Sequence, residues 1–177
     1  MAIVGENGSC KTTAMLALAG LLKITKGHTC AASPVKYVFQ DAFLQMVGID
    51  CEEELSVGPQ FNRWSCEATK TFVSRELEWV GVRAKEQPVE LHPGKARLLS
   101  IAAMNFNQGV LILDEPTIGL DNTGLEKVVE LIGSLISMEF AIIAITHDGR
   151  LAECANRIVE MKNGKIVSEQ SDGRAAP

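Results

Sequence analysis

The stretch MAIVGENGSCKTT, residues 1–13, decides the fold class of this chain. A short β-branched run, Ala2–Val4, leads into a turn that contains two glycines, and a helical sequence begins at Lys11. Such a turn presents backbone N–H groups and the positive end of a helix to an anion, while a lysine and the hydroxyl after it serve phosphate oxygens and Mg²⁺. The stretch predicts a phosphate-binding loop with nucleotide contacts from Gly5, Asn7, Gly8, Ser9, Cys10, Lys11, Thr12 and Thr13.

Cys10 is a departure from the loop pattern G-x-x-x-x-G-K-[ST], which starts at Gly5 and has glycine at its sixth position. Glycine lets the backbone approach phosphate because it has no Cβ atom. A cysteine places a side chain beside the ligand, so we expect lower affinity, and we expect this thiol beside Lys11 to react with thiol reagents. A sequence variant without functional meaning is the alternative, and it stays open.

A second stretch, VLILDEPT at residues 110–117, ends an apolar strand in two acids. Open α/β sheets bind their ligands at the carboxyl ends of strands, so both carboxylates are expected at a ligand site. Asp114 suits a water linked to Mg²⁺, and Glu115 suits the general base for an attacking water. Together with the glycine loop, these acids predict a site for nucleotide hydrolysis.

Short β-branched runs alternate with helical stretches, which is typical of an α/β fold with a mainly parallel sheet flanked by helices. We predict strands at 2–4, 35–39, 110–113 and 141–145, a terminal hairpin of 157–161 and 165–168, and helices at 11–23, 67–80, 94–106 and 121–138. The segment 41–91 has two prolines and no strong strand. We interpret it as a helical insertion into a core formed by residues 1–40 and 92–177.

Composition excludes several classes of protein. The 177 residues suffice for one domain, and a net charge of −5 argues against a protein that grips nucleic acid through phosphate contacts. The longest apolar run, 14–22, is far shorter than the roughly 20 residues that span a bilayer. Five scattered cysteines without a C-x-x-C pair fit neither a disulfide framework nor a zinc site.

Taken in order, these motifs make the chain resemble the ATPase domain of ABC transporters, which has a P-loop NTPase fold. Gln40 stands in the place of the family's Q-loop glutamine, and His147 in the place of its switch histidine. The resemblance implies ATP and Mg²⁺ as cofactors and hydrolysis of ATP to ADP and phosphate. It implies catalytic roles for Glu115, His147 and Gln40, and metal binding by Thr12, Gln40 and Asp114.

The sequence LHPGK at 91–95 occupies the place of the family signature LSGGQ, which caps the nucleotide held by a second ATPase domain. By this resemblance His92, Pro93 and Gly94 face a partner's nucleotide, and Asp121 is the D-loop residue at the dimer interface. Proline has no N–H to donate, and histidine is bulkier than serine. We therefore expect the composite site built with this signature to hydrolyse ATP poorly.

The sequence YVFQD at 37–41 and the acidic run 52–54 are similar to the energy-coupling-factor subgroup, which serves uptake of cobalt, nickel and vitamins. This likeness implies an importer of a small solute, with a second ATPase domain and a transmembrane subunit as partners and no nucleic acid. It also implies a cytoplasmic location at the inner face of the cell membrane, reached through the membrane partner.

Two other functions stay open at this point. The chain fits a nucleotide-binding partner that hydrolyses little within an asymmetric heterodimer, and less well an ABC protein of DNA repair or translation. Only four residues precede Gly5, whereas a strand usually has about five or six, so we expect an upstream part to be missing. The family's adenine-stacking aromatic would lie in that part, so we expect this chain alone to bind ATP weakly.

Overall fold

The computed structural model describes residues 1–31 and 34–171, and within them a single sheet runs through the core. The strands are β1 (Ala2–Val4), β2 (Val35–Val38), β3 (Val110–Asp114), β4 (Ala141–Ile145), β5 (Arg157–Lys162) and β6 (Lys165–Ser171). The helices are α1 (Lys11–Leu18), α2 (Cys51–Phe61), α3 (Cys66–Val80), α4 (Pro93–Ala102), α5 (Asn122–Ser137) and α6 (Gly149–Glu153), with 3₁₀ turns at Ala42–Leu44 and Pro88–Glu90. The predicted α/β fold with a mainly parallel sheet is confirmed.

The strand order, β2-β3-β4-β1-β5-β6, positions the site. All neighbouring strands are parallel except β5 and β6, which form the predicted hairpin. Parallel strands end at the same edge of a sheet, so the segments that follow β1, β2, β3 and β4 meet there. These segments begin with Gly5, Phe39, Glu115 and Thr146.

Apolar residues at strand and helix spacing build the core around this sheet. Leu111, Ile112 and Leu113 of β3 are completely buried, as expected of a strand covered on both faces. The buried apolar side chains of α5 recur along one face of the helix and belong to Leu125, Val128, Leu131, Ile132 and Leu135. Within 1–31 and 34–171, no helix has both the length and the apolar character that crossing a bilayer requires.

Helix bounds differ from the predicted ones where local backbone signals decide them. The prediction that the first helix reaches residue 23 is wrong, because Gly20 adopts a positive φ of 74° and ends the helical path after Leu18. Two helices, α2 and α6, have no counterpart among the predicted ones. Each starts at an aspartate, Asp50 or Asp148, whose side chain accepts a hydrogen bond from the first turn.

Segment 41–91 contains α2, α3 and both 3₁₀ turns, and α2 packs on α3 while α3 packs on α4. Phe72 and Val73 of α3 join Leu98 and Leu99 of α4 in the main hydrophobic core. The segment is thus helical, and its treatment as an insertion separate from residues 1–40 and 92–177 stays a prediction.

The β5–β6 hairpin supports the glycine loop from below. Gly5 has a φ of 141°, and an added Cβ there would lie 2.2 Å from the carbonyl oxygen of Met161. The turn of the hairpin places Asn163 and Gly164 at positive φ, and the Gly164 amide donates to the Ser9 carbonyl at 3.2 Å. Only glycine at position 5 allows the loop to approach the hairpin this closely.

Candidate nucleotide site

The residues predicted to bind nucleotide, bind metal or act in catalysis meet, with one exception, at one cavity of about 490 Å³. Its lining consists of Asn7, Gly8, Ser9, Cys10, Lys11, Thr12, Thr13, Gln40, Asp114, Glu115, Ile118, Ile145 and His147. The predicted catalytic and metal-binding residues are all in this set, and so are the predicted nucleotide-binding residues apart from Gly5, which packs beneath the loop. The structure therefore brings together residues that lie more than a hundred positions apart in the sequence.

The N-terminus of α1 opens into this cavity without a side-chain cap. The first amides of any helix have no partner inside the helix, and a side chain usually accepts from them. Residues preceding the other five described α-helices accept such hydrogen bonds, and these residues are Asp50, Ser65, His92, Asp121 and Asp148. Cys10, which precedes α1, makes no capping hydrogen bond. The free amides and the helix dipole thus form an anion site.

Cys10 itself occupies a backbone conformation that suits glycine. Its φ of 69° and ψ of 24° lie in the left-handed region, where a Cβ atom costs about 1–2 kcal/mol. The Sγ atom is exposed and points back to the Gly8 carbonyl at 3.7 Å. The substitution at the sixth loop position is therefore accommodated with backbone strain beside the anion site.

Lys11 folds back into the loop that would hold the anion. Its Nζ donates to the carbonyls of Gly5 at 2.8 Å and Glu6 at 3.0 Å, and to Ser9 Oγ at 3.3 Å. The residue is 8% exposed, so the ammonium is held in place at the edge of the cavity. These acceptors carry no net charge, so phosphate oxygens can replace them, because an anionic acceptor adds Coulomb attraction to the ammonium.

Two acids at the end of β3 form the opposite wall. Asp114 is 2% exposed and Glu115 is 8% exposed, yet Asp114 Oδ1 and Glu115 Oε2 have no hydrogen-bond partner among the described residues. Buried polar atoms without partners are costly, and such atoms commonly mark positions for water or an ion. The backbone of Glu115 takes a φ of 49°, and its Oε1 lies 2.9 Å from His147 Nδ1.

Oxygen atoms around these acids fit a magnesium ion. Mg²⁺ prefers oxygen ligands and is usually held by one or two carboxylates together with substrate phosphates. Thr12 offers a hydroxyl, Gln40 an amide oxygen and Asp114 the unpartnered Oδ1, and all three residues line the same cavity. The chemistry of this donor set therefore matches the metal that the sequence predicts.

Tyr37 and Arg97 do not line the cavity but contact residues that line it or adjoin a lining residue, and the sequence did not predict either contact. The Tyr37 hydroxyl donates to Asp114 Oδ2 at 2.8 Å, and burial followed by this hydrogen bond raises the pKa of Tyr37 far above its ordinary value. Arg97 of α4 is buried and donates to the Phe39 carbonyl next to Gln40. Burial lowers the pKa of Arg97, while the charges of the carboxylates Asp41, Asp114 and Glu115 oppose that shift. The contact between Tyr37 and Asp114 follows from the register of β2 and β3, and that register cannot be derived from a single sequence.

The predicted signature residues lie outside the cavity. His92 is exposed and caps α4, with its Nδ1 accepting from the Gly94 amide at 3.2 Å, and Pro93 is the first residue of the helix. An added Cβ at Gly94 would lie 3.2 Å from the Gly119 carbonyl, so this helix start packs on the turn before Asp121. Asp121 is exposed and caps α5 through the Gly124 amide at 2.7 Å. His92, Pro93 and Asp121 are thus exposed, whereas Gly94 is buried against this turn.

Comparison with known proteins links this geometry to a family. The profile of the ABC transporter family matches residues 1–118. The energy-coupling factor transporter ATP-binding protein EcfA2 of Methanospirillum hungatei is 34% identical over 187 residues, which cover 95% of this chain and 47% of that protein. The corresponding EcfA of Methanocaldococcus jannaschii is 31% identical over 188 residues, covering 96% of this chain and 67% of that protein.

The chain thus spans about half of the first relative and two thirds of the second. Among solved structures, a dimeric ATP-binding cassette in a post-hydrolysis state with ADP and Pi superposes with a TM-score of 0.86. The superposition covers 96% of this chain and 84% of that one at 22% identity, and it therefore shows a shared fold.

Replacing Cys10 by glycine tests the anion site at α1. We expect Cys10→Gly to raise the affinity for a non-hydrolysable ATP analogue severalfold in titration calorimetry, because it removes the left-handed strain and the Cβ beside the phosphates. Cys10→Ala is the matched control, since it removes the thiol and keeps the Cβ. Unchanged binding in Cys10→Gly, or an equal gain in Cys10→Ala, would contradict this role of the backbone.

Proposed function

This chain belongs to the ABC transporter family of ATP-binding domains, and from that membership we propose that it hydrolyses ATP as the nucleotide-binding subunit of an energy-coupling-factor-type importer of a small solute. The observation that supports this function most strongly is the shared cavity. In it an uncapped helix N-terminus and Lys11 face a pair of buried acids and a histidine.

The side of the cavity formed by the glycine loop and the start of α1 would bind ATP. The amides at the start of α1 would bind the phosphates, and the Lys11 ammonium would exchange the Gly5 and Glu6 carbonyls for phosphate oxygens. Because the lysine is already placed and largely buried, little side-chain entropy is lost when the anion arrives. Ser9 and Thr13 also line this side of the cavity.

Mg²⁺ would be held by Thr12, Gln40 and the free oxygen of Asp114. When bound, the ion supplies neutralisation of the charge on the phosphate oxygens. Gln40 has a second role in this arrangement, because it begins the segment that leads away from the sheet into residues 41–91. A change at the phosphates can therefore reach the helical segment through the Gln40 backbone.

Hydrolysis is the task of Glu115 and His147. Glu115 Oε2 is buried and unpartnered, so it can accept a hydrogen bond from a water placed in line with the γ-phosphate. The water oxygen bonds to phosphorus, the bond to the β-phosphate oxygen breaks, and the proton of the water passes towards Glu115. His147 Nδ1 holds the other carboxylate oxygen at 2.9 Å and leaves its second ring nitrogen for the γ-phosphate.

Partner subunits fit two exposed surfaces. The exposed residues His92, Pro93 and Asp121, together with the helix start at Gly94, would cap the nucleotide of a second ATPase domain. Downstream of Gln40, an exposed apolar segment would contact a transmembrane subunit, and its exposed residues are Phe43, Leu44, Val47 and Ile49. This contact would hold the chain at the cytoplasmic face of the membrane.

A hydrolysis-poor partner in an asymmetric heterodimer is the second candidate function, and the start of α4 favours it. Pro93 has no N–H, and the Gly94 N–H is already accepted by His92 Nδ1. Two amides that a helix N-terminus normally offers to a phosphate are therefore engaged or missing. The acids and His147 around the chain's own cavity favour hydrolysis there when a partner supplies a complete signature.

Exchanging the general base tests the hydrolytic role. We expect Glu115→Gln to lower the rate of phosphate release at least about a hundredfold while ATP binding persists, because the amide keeps the size of the side chain but cannot accept the proton. The matched control is Glu126→Gln on the exposed face of α5, which should release phosphate at the parental rate. A Glu115→Gln chain as fast as the parent would exclude the role.

Restoring the signature tests which candidate function applies. His92→Ser combined with Pro93→Gly supplies a hydroxyl and an N–H, and we expect phosphate release per chain to rise at least about tenfold. Each single variant restores one donor and should give a smaller gain. No gain in the double variant would show that the start of α4 does not limit hydrolysis, and it would count against the hydrolysis-poor partner.

A further inference from the structure

We infer that Tyr37 is a positioning residue for Asp114 and that it fixes which carboxylate oxygen remains available to Mg²⁺; this inference rests on the proposed function. The Tyr37 hydroxyl donates to Asp114 Oδ2 at 2.8 Å. Both residues are buried, with 6% of Tyr37 and 2% of Asp114 exposed. Solvent therefore does not compete for this hydrogen bond.

The sheet register forces the two side chains together. Tyr37 of β2 pairs with Ile112 of β3, and Asp114 follows Ile112 by two residues on the same face of the sheet. Tyr37 and Asp114 are thus diagonal neighbours, within reach of a long side chain. The Phe39 ring packs on the Tyr37 ring with centroids 5.0 Å apart, which restricts the direction of the hydroxyl.

The hydrogen bond makes the two carboxylate oxygens of Asp114 unequal. Oδ2 is occupied by Tyr37, whereas Oδ1 is buried without a partner among the described residues and belongs to a side chain that lines the cavity. Rotation of the carboxylate group would exchange the two oxygens, and the hydroxyl opposes that rotation. Tyr37 thus holds Asp114 in the orientation that leaves Oδ1 for the cation or its water.

The Tyr37→Phe variant separates the hydrogen bond of Tyr37 to Asp114 from the packing of its ring. Tyr37→Phe keeps the ring and its contact with Phe39 but leaves Oδ2 without its donor. Loss of an outer hydrogen bond to a metal ligand commonly lowers metal affinity 10–100-fold. We expect Mg²⁺ to bind the nucleotide complex of Tyr37→Phe about tenfold more weakly, while nucleotide binding in EDTA stays at the parental level.

Titration calorimetry with a non-hydrolysable ATP analogue, in EDTA and across a Mg²⁺ series, measures both quantities. Ile112→Val is the matched control, because it alters the neighbouring buried residue without touching a polar group. Asp114→Ala provides the background in which Tyr37→Phe should have no further effect on Mg²⁺ affinity, since the residue acts through Asp114. If the role of Tyr37 were merely structural, Tyr37→Phe would change nucleotide affinity in EDTA, or it would still lower Mg²⁺ affinity in the Asp114→Ala background.

A second measurement uses the parent chain and does not depend on the folding of a variant. Tyr37 is the sole tyrosine of the sequence, so tyrosine labelled with ¹³C at Cζ gives one resonance. We expect it to shift when Mg²⁺ joins the nucleotide complex and to stay in place when nucleotide is added in EDTA. Equal Mg²⁺ affinity in the parent and Tyr37→Phe, or a Cζ signal indifferent to Mg²⁺, would overturn the inference. A parent chain that binds no nucleotide would overturn the proposed function and this inference with it.

Discussion

Two backbone hydrogen bonds at one edge of the sheet hold the whole site together. The Thr146 amide donates to the Ile3 carbonyl at 3.1 Å, and the Glu115 amide donates to the Ile145 carbonyl at 2.9 Å. They join the ends of β1, β3 and β4, so the glycine loop, the acids and His147 emerge side by side. If β4 slipped by one residue, the side chains at its end would change faces and His147 would leave Glu115.

Several unfavourable local features lie where the nucleotide would bind. Cys10 and Glu115 adopt positive φ, α1 lacks a cap, and two buried carboxylate oxygens lack partners among the described residues. Away from the cavity, the described α-helices have side-chain caps, and the central strands β3 and β4 pair along their whole length. Such features persist only where the surrounding structure holds the residues in place. Here the β5–β6 hairpin and the parallel strands hold them.

Features that depend on neighbouring residues could largely be predicted from the sequence, whereas contacts between distant residues could not. The loop at 5–13 and the acids after 110–113 carry their chemistry in adjacent residues, so the sequence indicated the fold class and most of the residues that line the cavity. Gln40 and His147 came from the family resemblance, and Ile118 and Ile145 were not predicted. Tyr37 was missed because its partner lies 77 residues away and is defined by register. Arg97 was missed because nothing near it in the sequence reveals the Phe39 carbonyl as its acceptor. The end of α1 and the short helix α6 depend on Gly20 and Asp148, which are common in loops as well.

Lys11 and Glu115 must face the same triphosphate if this cavity hydrolyses ATP. A crystal structure of the Glu115→Gln chain with ATP and Mg²⁺ tests it most directly. We expect phosphates at the start of α1, with Lys11 Nζ moved from the Gly5 and Glu6 carbonyls to phosphate oxygens and the γ-phosphate between Lys11 and residue 115. Nucleotide bound at another surface, or a Lys11 side chain that keeps its loop carbonyls beside bound ATP, would contradict it.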